Sequence, residues 1–123
     1  MPLRAPLFAA GFLISGIMLA QITVAQSQKF FAYNMTTRTD FKGVYLAPAG
    51  SENWSSNQTE NDKDKSLDIT ERLRLTGLTP GRYDVKLVTE DGGSCIVKDI
   101  DLTKENSFVI KEDQIADCHK SQK

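Results

Sequence analysis

The stretch LTGLTPGRYDVKLVTEDGG, residues 75–93, decides the fold of this chain. Within it Leu78, Pro80, Gly81 and Tyr83 form the pattern L-x-P-G-x-Y, which is typical of a tyrosine corner. Pro80 sets the φ angle of the turn, and Gly81 allows a positive φ. The ring of Tyr83 then enters the core while its hydroxyl bonds to the backbone upstream. Because such corners occur at crossings between two sheets, the stretch predicts a structural turn rather than a catalytic site.

The residues that follow this turn are typical of a β-hairpin. Tyr83, Val85 and Leu87 alternate with polar residues, as in a half-buried strand. The sequence D-G-G at 91–93 is a hairpin turn signal. In the next segment, CIVKDIDL, the apolar positions change phase near Val97, and a β-bulge would explain that shift.

Further segments of the chain are also typical of strands. In KFFAYNMT, residues 29–36, Phe31, Tyr33 and Met35 share one face. Short segments of period 2, divided by turn residues, predict an all-β fold. We expect a small antiparallel β-sandwich of Greek-key, immunoglobulin-like or transthyretin-like topology. The other segments are FKGVYLAP at 41–48, ERLRLTGL at 71–78 and ENSFVIKE at 105–112.

The beginning of the chain is unlike the rest. Arg4 is the only charge in MPLRAP, and residues 7–20 are apolar and uncharged. A basic start, an apolar stretch and a small-residue exit predict a secretory signal peptide at residues 1–25, cleaved after Ala25. We therefore expect an exported protein, periplasmic or extracellular. An uncleaved membrane anchor is the alternative, because residues 7–25 could just span a bilayer.

Length and charge limit the remaining possibilities. Removing residues 1–25 from the 123-residue chain leaves 98 residues, which predicts a single domain at 26–118 and a flexible tail at 119–123. Without Arg4 the chain carries 14 Lys and Arg against 16 Asp and Glu, with the signs interspersed. This near-neutral balance argues against nucleic acid as a partner. The chain also lacks the basic amphipathic helix that binds a membrane surface.

The two cysteines, Cys95 and Cys118, predict a disulfide, because an exported chain meets an oxidising environment. Bridging them closes a loop of about 24 residues and stabilises the fold by roughly 3 kcal/mol. The alternative is a metal site that uses Cys118 and the only histidine, His119. Adjacent side chains rarely converge on one ion, and further ligands are not evident.

One irregular segment, residues 49–66, is long for a connection in a small domain, and such loops are usually functional or disordered. It holds the only tryptophan, Trp54. The indole either contacts a sugar or a protein partner, or plugs the end of the sandwich. We predict a ligand-binding surface that contains Trp54 and Asn57, with Tyr45 and Asn34 nearby.

The acidic run ENDKDKSLDITE, residues 60–71, has oxygen-bearing side chains at six positions of a calcium-binding loop. Lys65, however, replaces the glycine of the sharp turn, and flanking helices are not expected. We therefore predict a solvated loop rather than a metal site, and no cofactor. The six positions are Glu60, Asp62, Asp64, Ser66, Asp68 and Glu71.

A resemblance adds to this picture. Y-N-x-T at 33–36, V-Y-L-x-P at 44–48 and the following Trp54 are similar to small exported bacterial proteins of uncharacterised function. In those proteins an N-x-T strand and a V-Y-x-S-P strand precede a Trp-Gly-x-N loop, a Pro-Gly turn and a Cys-containing hairpin. The resemblance spans residues 29–118, and the chain departs from it at Ser55 and in the acidic run. It implies a periplasmic or secreted β-sandwich, and it brings no established activity or catalytic residues to this chain.

No nucleophile elbow, zinc-protease motif or phosphate-binding loop is present in the sequence. We therefore expect a non-enzymatic binding or accessory module, whose partner is an envelope protein or a glycan. The alternatives are a small periplasmic hydrolase that uses carboxylates of the long loop, and a purely structural envelope protein.

Overall fold

The computed structural model describes residues 28–121 of the chain. The predicted signal peptide at residues 1–25 lies outside the described residues, as do the last two residues of the predicted tail. Within residues 28–121, no helix has both the length and the hydropathy of a membrane span. The strands are β1 (Phe30–Asn34), β2 (Phe41–Pro48), β3 (Arg72–Leu75), β4 (Arg82–Thr89), β5 (Ser94–Asp101) and β6 (Ser107–Ile110).

These strands form two three-stranded sheets, with the orders β3-β1-β6 and β2-β4-β5. The predicted all-β sandwich with one disulfide is therefore confirmed. Three of the four strand pairs are antiparallel, whereas β1 and β6 are parallel. Among the described strands, β4 and β5 are the only consecutive pair in one sheet. All other connections cross between the sheets, and such a crossing lets β6 return beside β1 in the same direction.

One face of each sheet contributes to a shared core, because side chains alternate along a strand. In β4 the residues Tyr83, Val85 and Leu87 are buried, in agreement with the predicted alternation. The core side chains are Phe30, Ala32, Phe41, Val44, Leu46, Leu67, Leu73, Leu75, Tyr83, Val85, Leu87, Leu102, Ile110, Ile115 and Cys118.

Both faces of strand β1 carry aromatic side chains, and one of these faces is buried. Its core residues are Phe30 and Ala32. Phe31 and Tyr33 share a face, as predicted, but that face is the outer one and both are half-buried. Met35, just beyond β1, is 53% exposed. The aromatic-rich strand therefore presents apolar side chains outside the core.

The chain enters β4 through the tyrosine corner. The Tyr83 hydroxyl donates a hydrogen bond to the Thr79 carbonyl oxygen (2.6 Å) and lies 3.2 Å from the Thr79 N–H, which donates to it. This is the bond to upstream backbone that the motif predicts. Gly81, however, does not adopt a positive φ, because it pairs with the backbone of Leu102 through both its N–H and its C=O. The left-handed residue before the corner is Gly77, at φ +77°.

The β4–β5 hairpin contains a turn and the predicted bulge. Gly92 has φ +94°, and its N–H donates to the Thr89 carbonyl oxygen (3.0 Å). The register changes between Tyr83, which faces Ile100, and Val85, which faces Val97. One extra residue in β5 therefore produces the change of phase seen in the sequence.

Asp84 fixes this bulge and a second turn. Its Oδ1 accepts a hydrogen bond from the N–H of Asp99 (3.0 Å), which has φ +61°. Its Oδ2 accepts one from the N–H of Gly50 (3.0 Å), in the turn that follows β2. The bonds from Gly50 and then Asp99 lower the pKa of the Asp84 carboxyl, because they favour its charged form.

The C-terminal residues attach to β5 through the disulfide between Cys95 and Cys118. A short 3-10 helix at Glu112–Gln114 precedes a second one at Ala116–Ser121. The second helix continues past Cys118, where the predicted domain ends, and the predicted flexibility of residues 119–123 stays a prediction.

Tyr83→Phe tests the tyrosine corner. The substitution removes the hydroxyl that bonds to Thr79, and we expect the free energy of unfolding to fall by about 1 kcal/mol in urea titration. Tyr33→Phe is the matched control, because the Tyr33 hydroxyl makes no hydrogen bond within residues 28–121. Equal stability of wild type and Tyr83→Phe would contradict the tethering role.

Asp84→Asn tests the carboxylate between the bulge and the turn. A carboxyl whose pKa is lowered on folding stabilises the protein above its unfolded pKa of about 3.9, and this stabilisation disappears as the pH falls through the folded value. We therefore expect the variant to melt at a lower temperature than wild type at neutral pH. The difference should shrink between about pH 5 and pH 2 in calorimetric scans. Asp113→Asn, at an exposed position in a 3-10 helix, is the control, and a constant difference at every pH would exclude the carboxylate's role.

Candidate functional site

The long loop contains a segment, residues 55–61, that lies along the outer edge of β2 and is called the strap below. It begins directly after Trp54. The Ser55 N–H donates a hydrogen bond to the Leu46 carbonyl oxygen (2.8 Å), and the Ser55 hydroxyl accepts one from the Leu46 N–H (3.1 Å). The strap therefore starts by pairing with β2 much as a neighbouring strand would.

Asn57 continues this pairing two residues further along. Its Oδ1 accepts a hydrogen bond from the Val44 N–H (3.0 Å), and its Nδ2 donates to the Lys42 carbonyl oxygen (3.0 Å). The Thr59 hydroxyl donates to the same carbonyl (3.1 Å). Side chains of the strap thus pair backbone groups that an edge strand would otherwise expose.

The strap also reaches the other sheet. Gln58 is buried; its Oε1 accepts a hydrogen bond from the Thr76 N–H (2.9 Å), and its Nε2 donates to the Thr76 carbonyl oxygen (3.2 Å). Asn61 Nδ2 donates to the carbonyl oxygen of Arg74 in β3 (2.8 Å). The strap therefore joins the edges of β2 and β3 and closes the sandwich on that side.

Asn34, one of the predicted ligand-binding residues, is fully buried at the end of β1. Its Nδ2 donates to the carbonyl oxygens of Thr39 (2.8 Å) and Leu67 (3.0 Å). Its Oδ1 accepts from the N–H (3.0 Å) and the hydroxyl (2.8 Å) of Thr36. These four bonds use the full capacity of the amide. The prediction that Asn34 contributes to a surface near Trp54 is therefore wrong: the residue fixes the turn after β1.

Asn57 is likewise committed to backbone groups of β2, so its amide is part of the strap rather than of a ligand surface. The two other predicted residues do lie together. Lys86 Nζ is 5.1 Å from the ring centroid of Tyr45 and 5.2 Å from that of Trp54. Both distances lie within the range of a cation–π contact. We call the surface formed by Trp54, Tyr45 and Lys86 the tryptophan face.

The outer side of the β2-β4-β5 sheet carries the tryptophan face. Tyr45 and Lys86 are directly opposite each other on β2 and β4, and Lys86 faces Ile96 of β5 on its other side. Ile96 is 46% exposed. A Cβ on Gly43 would lie 3.0 Å from the Tyr45 ring, so the absence of a side chain there makes room for the ring across the sheet. The result is an amphipathic surface with one cation near its centre.

The acidic run brings only part of the calcium-loop pattern together. Carboxylate oxygens of Asp64, Asp68 and Glu71 lie within 4.8 Å of one another. Lys65 has φ +58°, the conformation in which a calcium loop uses glycine. Its ammonium, however, pairs with the Glu60 carboxylate (3.2 Å). The three carboxylates are the group within residues 28–121 that could hold a cation, but exposed acidic clusters are common without one.

A shallow cleft beside the β4–β5 hairpin has a volume of about 120 Å³. This is smaller than the roughly 300–1,000 Å³ of typical small-molecule sites. The Asp40 carboxylate in the cleft accepts a hydrogen bond from the Ile69 N–H (3.0 Å), and that of Asp91 accepts one from the Gly93 N–H (3.2 Å). These carboxylates therefore hold loop backbone in place. The lining residues are Arg38, Thr39, Asp40, Thr89, Glu90 and Asp91.

No protein family, curated protein or solved structure matches this chain. The resemblance to small exported bacterial proteins stays a prediction, and so does the immunoglobulin-like or transthyretin-like topology.

Lys86 is the member of the tryptophan face that sequence reasoning missed. It appears in the sequence as one polar position of an alternating strand, and its neighbours depend on the pairing of β2 with β4. Gln58 was missed in the same way, because a buried glutamine inside a polar loop has no distinctive pattern. Lys86 could have been found only from the register of β2 and β4, which places it opposite Tyr45.

Asn57→Ala tests the strap. The substitution leaves the Val44 N–H and the Lys42 carbonyl without the amide, and we expect a loss of about 1–3 kcal/mol in the free energy of unfolding. Asn53→Ala is the matched control, since Asn53 is exposed in the same loop. Chemical denaturation would show the difference. Equal stability of the two variants would mean that water replaces Asn57 at the edge of β2.

Proposed function

We propose that this protein is an exported, non-enzymatic binding module and that the tryptophan face binds an acidic glycan. The observation that carries the proposal is the ammonium of Lys86 between the rings of Tyr45 and Trp54 on the outer side of a sheet. The disulfide and the predicted signal peptide support export, because disulfides persist in oxidising compartments.

The chemistry of the face supports this class of ligand. Aromatic rings offer flat apolar surface to the C–H face of a sugar, and an ammonium group binds a carboxylate or a sulfate. Trp54, Tyr45 and Lys86 are each partly exposed, so all three can contact a ligand without unfolding of the loop. A surface on the outer side of a sheet suits a chain-like ligand, whereas small molecules usually bind in enclosed clefts.

The face is also held in place before binding. Trp54 directly precedes Ser55, whose backbone and hydroxyl both bond to Leu46 of β2. Tyr45 lies across Gly43, where no side chain displaces the ring. Ordering such side chains in advance lowers the entropy lost on binding.

The fluorescence of Trp54 gives a direct test, because it is the only tryptophan of the chain. We expect a saturable change in its emission on titration with polygalacturonate or alginate oligosaccharides, and no change with neutral dextran. Lys86→Gln should weaken the binding about tenfold, the worth of one charge-assisted hydrogen bond. Lys104→Gln, at an exposed loop position, is the matched control.

Calorimetry with Trp54→Ala completes the test, since this variant has no indole emission. It should bind neither acidic oligosaccharide while melting as a folded domain. Binding that persists in Trp54→Ala and Lys86→Gln would refute the proposal. An unchanged emission of the wild type with every acidic sugar, together with a change on adding an envelope protein fraction, would favour a protein ligand instead.

A further inference from the structure

The outer side of the other sheet carries an exposed apolar strip. Phe31 and Tyr33 of β1 are half-buried, Met35 is 53% exposed, and Val109 of β6 is 39% exposed. Tyr33 and Val109 face each other across the parallel pair of strands. The outer side of a sandwich usually carries polar side chains, because it faces solvent. A row of exposed apolar side chains on this side of the sheet therefore indicates a surface that binds a partner.

Two arginines border this strip. Arg74 faces Phe31 and Arg72 faces Tyr33 across the antiparallel pair β1 and β3. The guanidinium carbon of Arg72 lies 4.4 Å from the ring centroid of Phe31, which is the diagonal neighbour. A guanidinium that stacks on a ring keeps its N–H edges available to a carboxylate.

Neither arginine forms a salt bridge within residues 28–121. Arg82, by contrast, binds Asp99 at 2.7 Å and Asp101 at 3.0 Å. The chain has 16 acidic residues, so the difference does not come from a shortage of carboxylates. Two cations that have no carboxylate partner among the described residues, beside an exposed apolar strip, are complementary to a ligand that carries both apolar groups and negative charge.

We propose that this surface, made of Phe31, Tyr33, Met35, Val109, Arg72 and Arg74 and called the arginine face, docks a protein segment in which apolar residues are interspersed with aspartate or glutamate. The apolar strip distinguishes this partner from a polysaccharide, which would use the two guanidinium groups and leave Met35 and Val109 exposed. The arginine face and the tryptophan face lie on different sheets. A protein partner and a glycan can therefore bind at the same time.

The test uses protein purified from cells that express the whole chain. Phage-displayed random peptides are selected on the wild type, and the enriched peptides are measured by calorimetry. We expect enriched peptides to combine apolar residues with Asp or Glu. The variant Arg72→Glu/Arg74→Glu should bind them at least about tenfold more weakly, because two charge-assisted contacts become repulsive. Lys63→Glu/Lys104→Glu makes the same change of net charge on exposed loop positions and should bind normally.

A second variant tests the apolar part of the face. Met35→Ser/Val109→Thr should also weaken binding, and heparin should not compete with the peptides at matched charge. Unchanged Trp54 emission and circular dichroism show that each variant is folded. The proposal is overturned if the enriched peptides lack acidic residues, if they bind Arg72→Glu/Arg74→Glu as well as wild type, or if only heparin binds. Self-association of the wild type that Arg72→Glu/Arg74→Glu abolishes would also overturn it, in favour of a second copy of the chain.

Discussion

The backbone groups at the sheet edges are the constraint on which this small sandwich depends. A three-stranded sheet has two edge strands, so most strands here have one side without a neighbour. On one side of the molecule, Ser55 and Asn57 of the strap bond to alternate residues of β2, because the N–H and C=O groups of an edge point outward at every second residue. On the other side, the Cys95–Cys118 disulfide holds a 3-10 helix against β5.

The same constraint places the tryptophan face. Because the strap pairs with β2 from Ser55 onward, the residue that precedes Ser55 is held beside the β2-β4-β5 sheet. Trp54 occupies that position and contacts Lys86 of the central strand. A loop that is long for its connection is usually interpreted as either functional or disordered. Here residues 55–61 stabilise the fold by pairing with β2. Trp54, which directly precedes them, belongs to the candidate site.

Much of the fold could be predicted from sequence, because it depends on local patterns. The alternation in β4, the L-x-P-G-x-Y corner and the cysteine pair each specify structure within a short stretch. The errors concern residues whose hydrogen-bond partners are distant in sequence. Asn34 was predicted to lie on the surface, but it is buried and donates a hydrogen bond to the carbonyl oxygen of Leu67, 33 residues away. Gly81 allows a positive φ at its place in the turn, but it does not adopt one, and its backbone pairs with that of Leu102 instead.

The candidate site was predictable in its aromatic residues and not in its charge. Trp54 and Tyr45 are conspicuous in the sequence, whereas Lys86 gains its meaning only from the register of β2 and β4. Both outer faces place a cation over an aromatic ring, which by itself could serve to shield exposed rings from aggregation. A cation that only shields an exposed ring, however, can also form a salt bridge with a nearby carboxylate. Arg82, which links β4 to β5, forms salt bridges with Asp99 and Asp101. The cations that rest on rings at Lys86 and Arg72 form no salt bridge within residues 28–121, and unpaired charge beside flat apolar surface is the arrangement that an anionic partner completes.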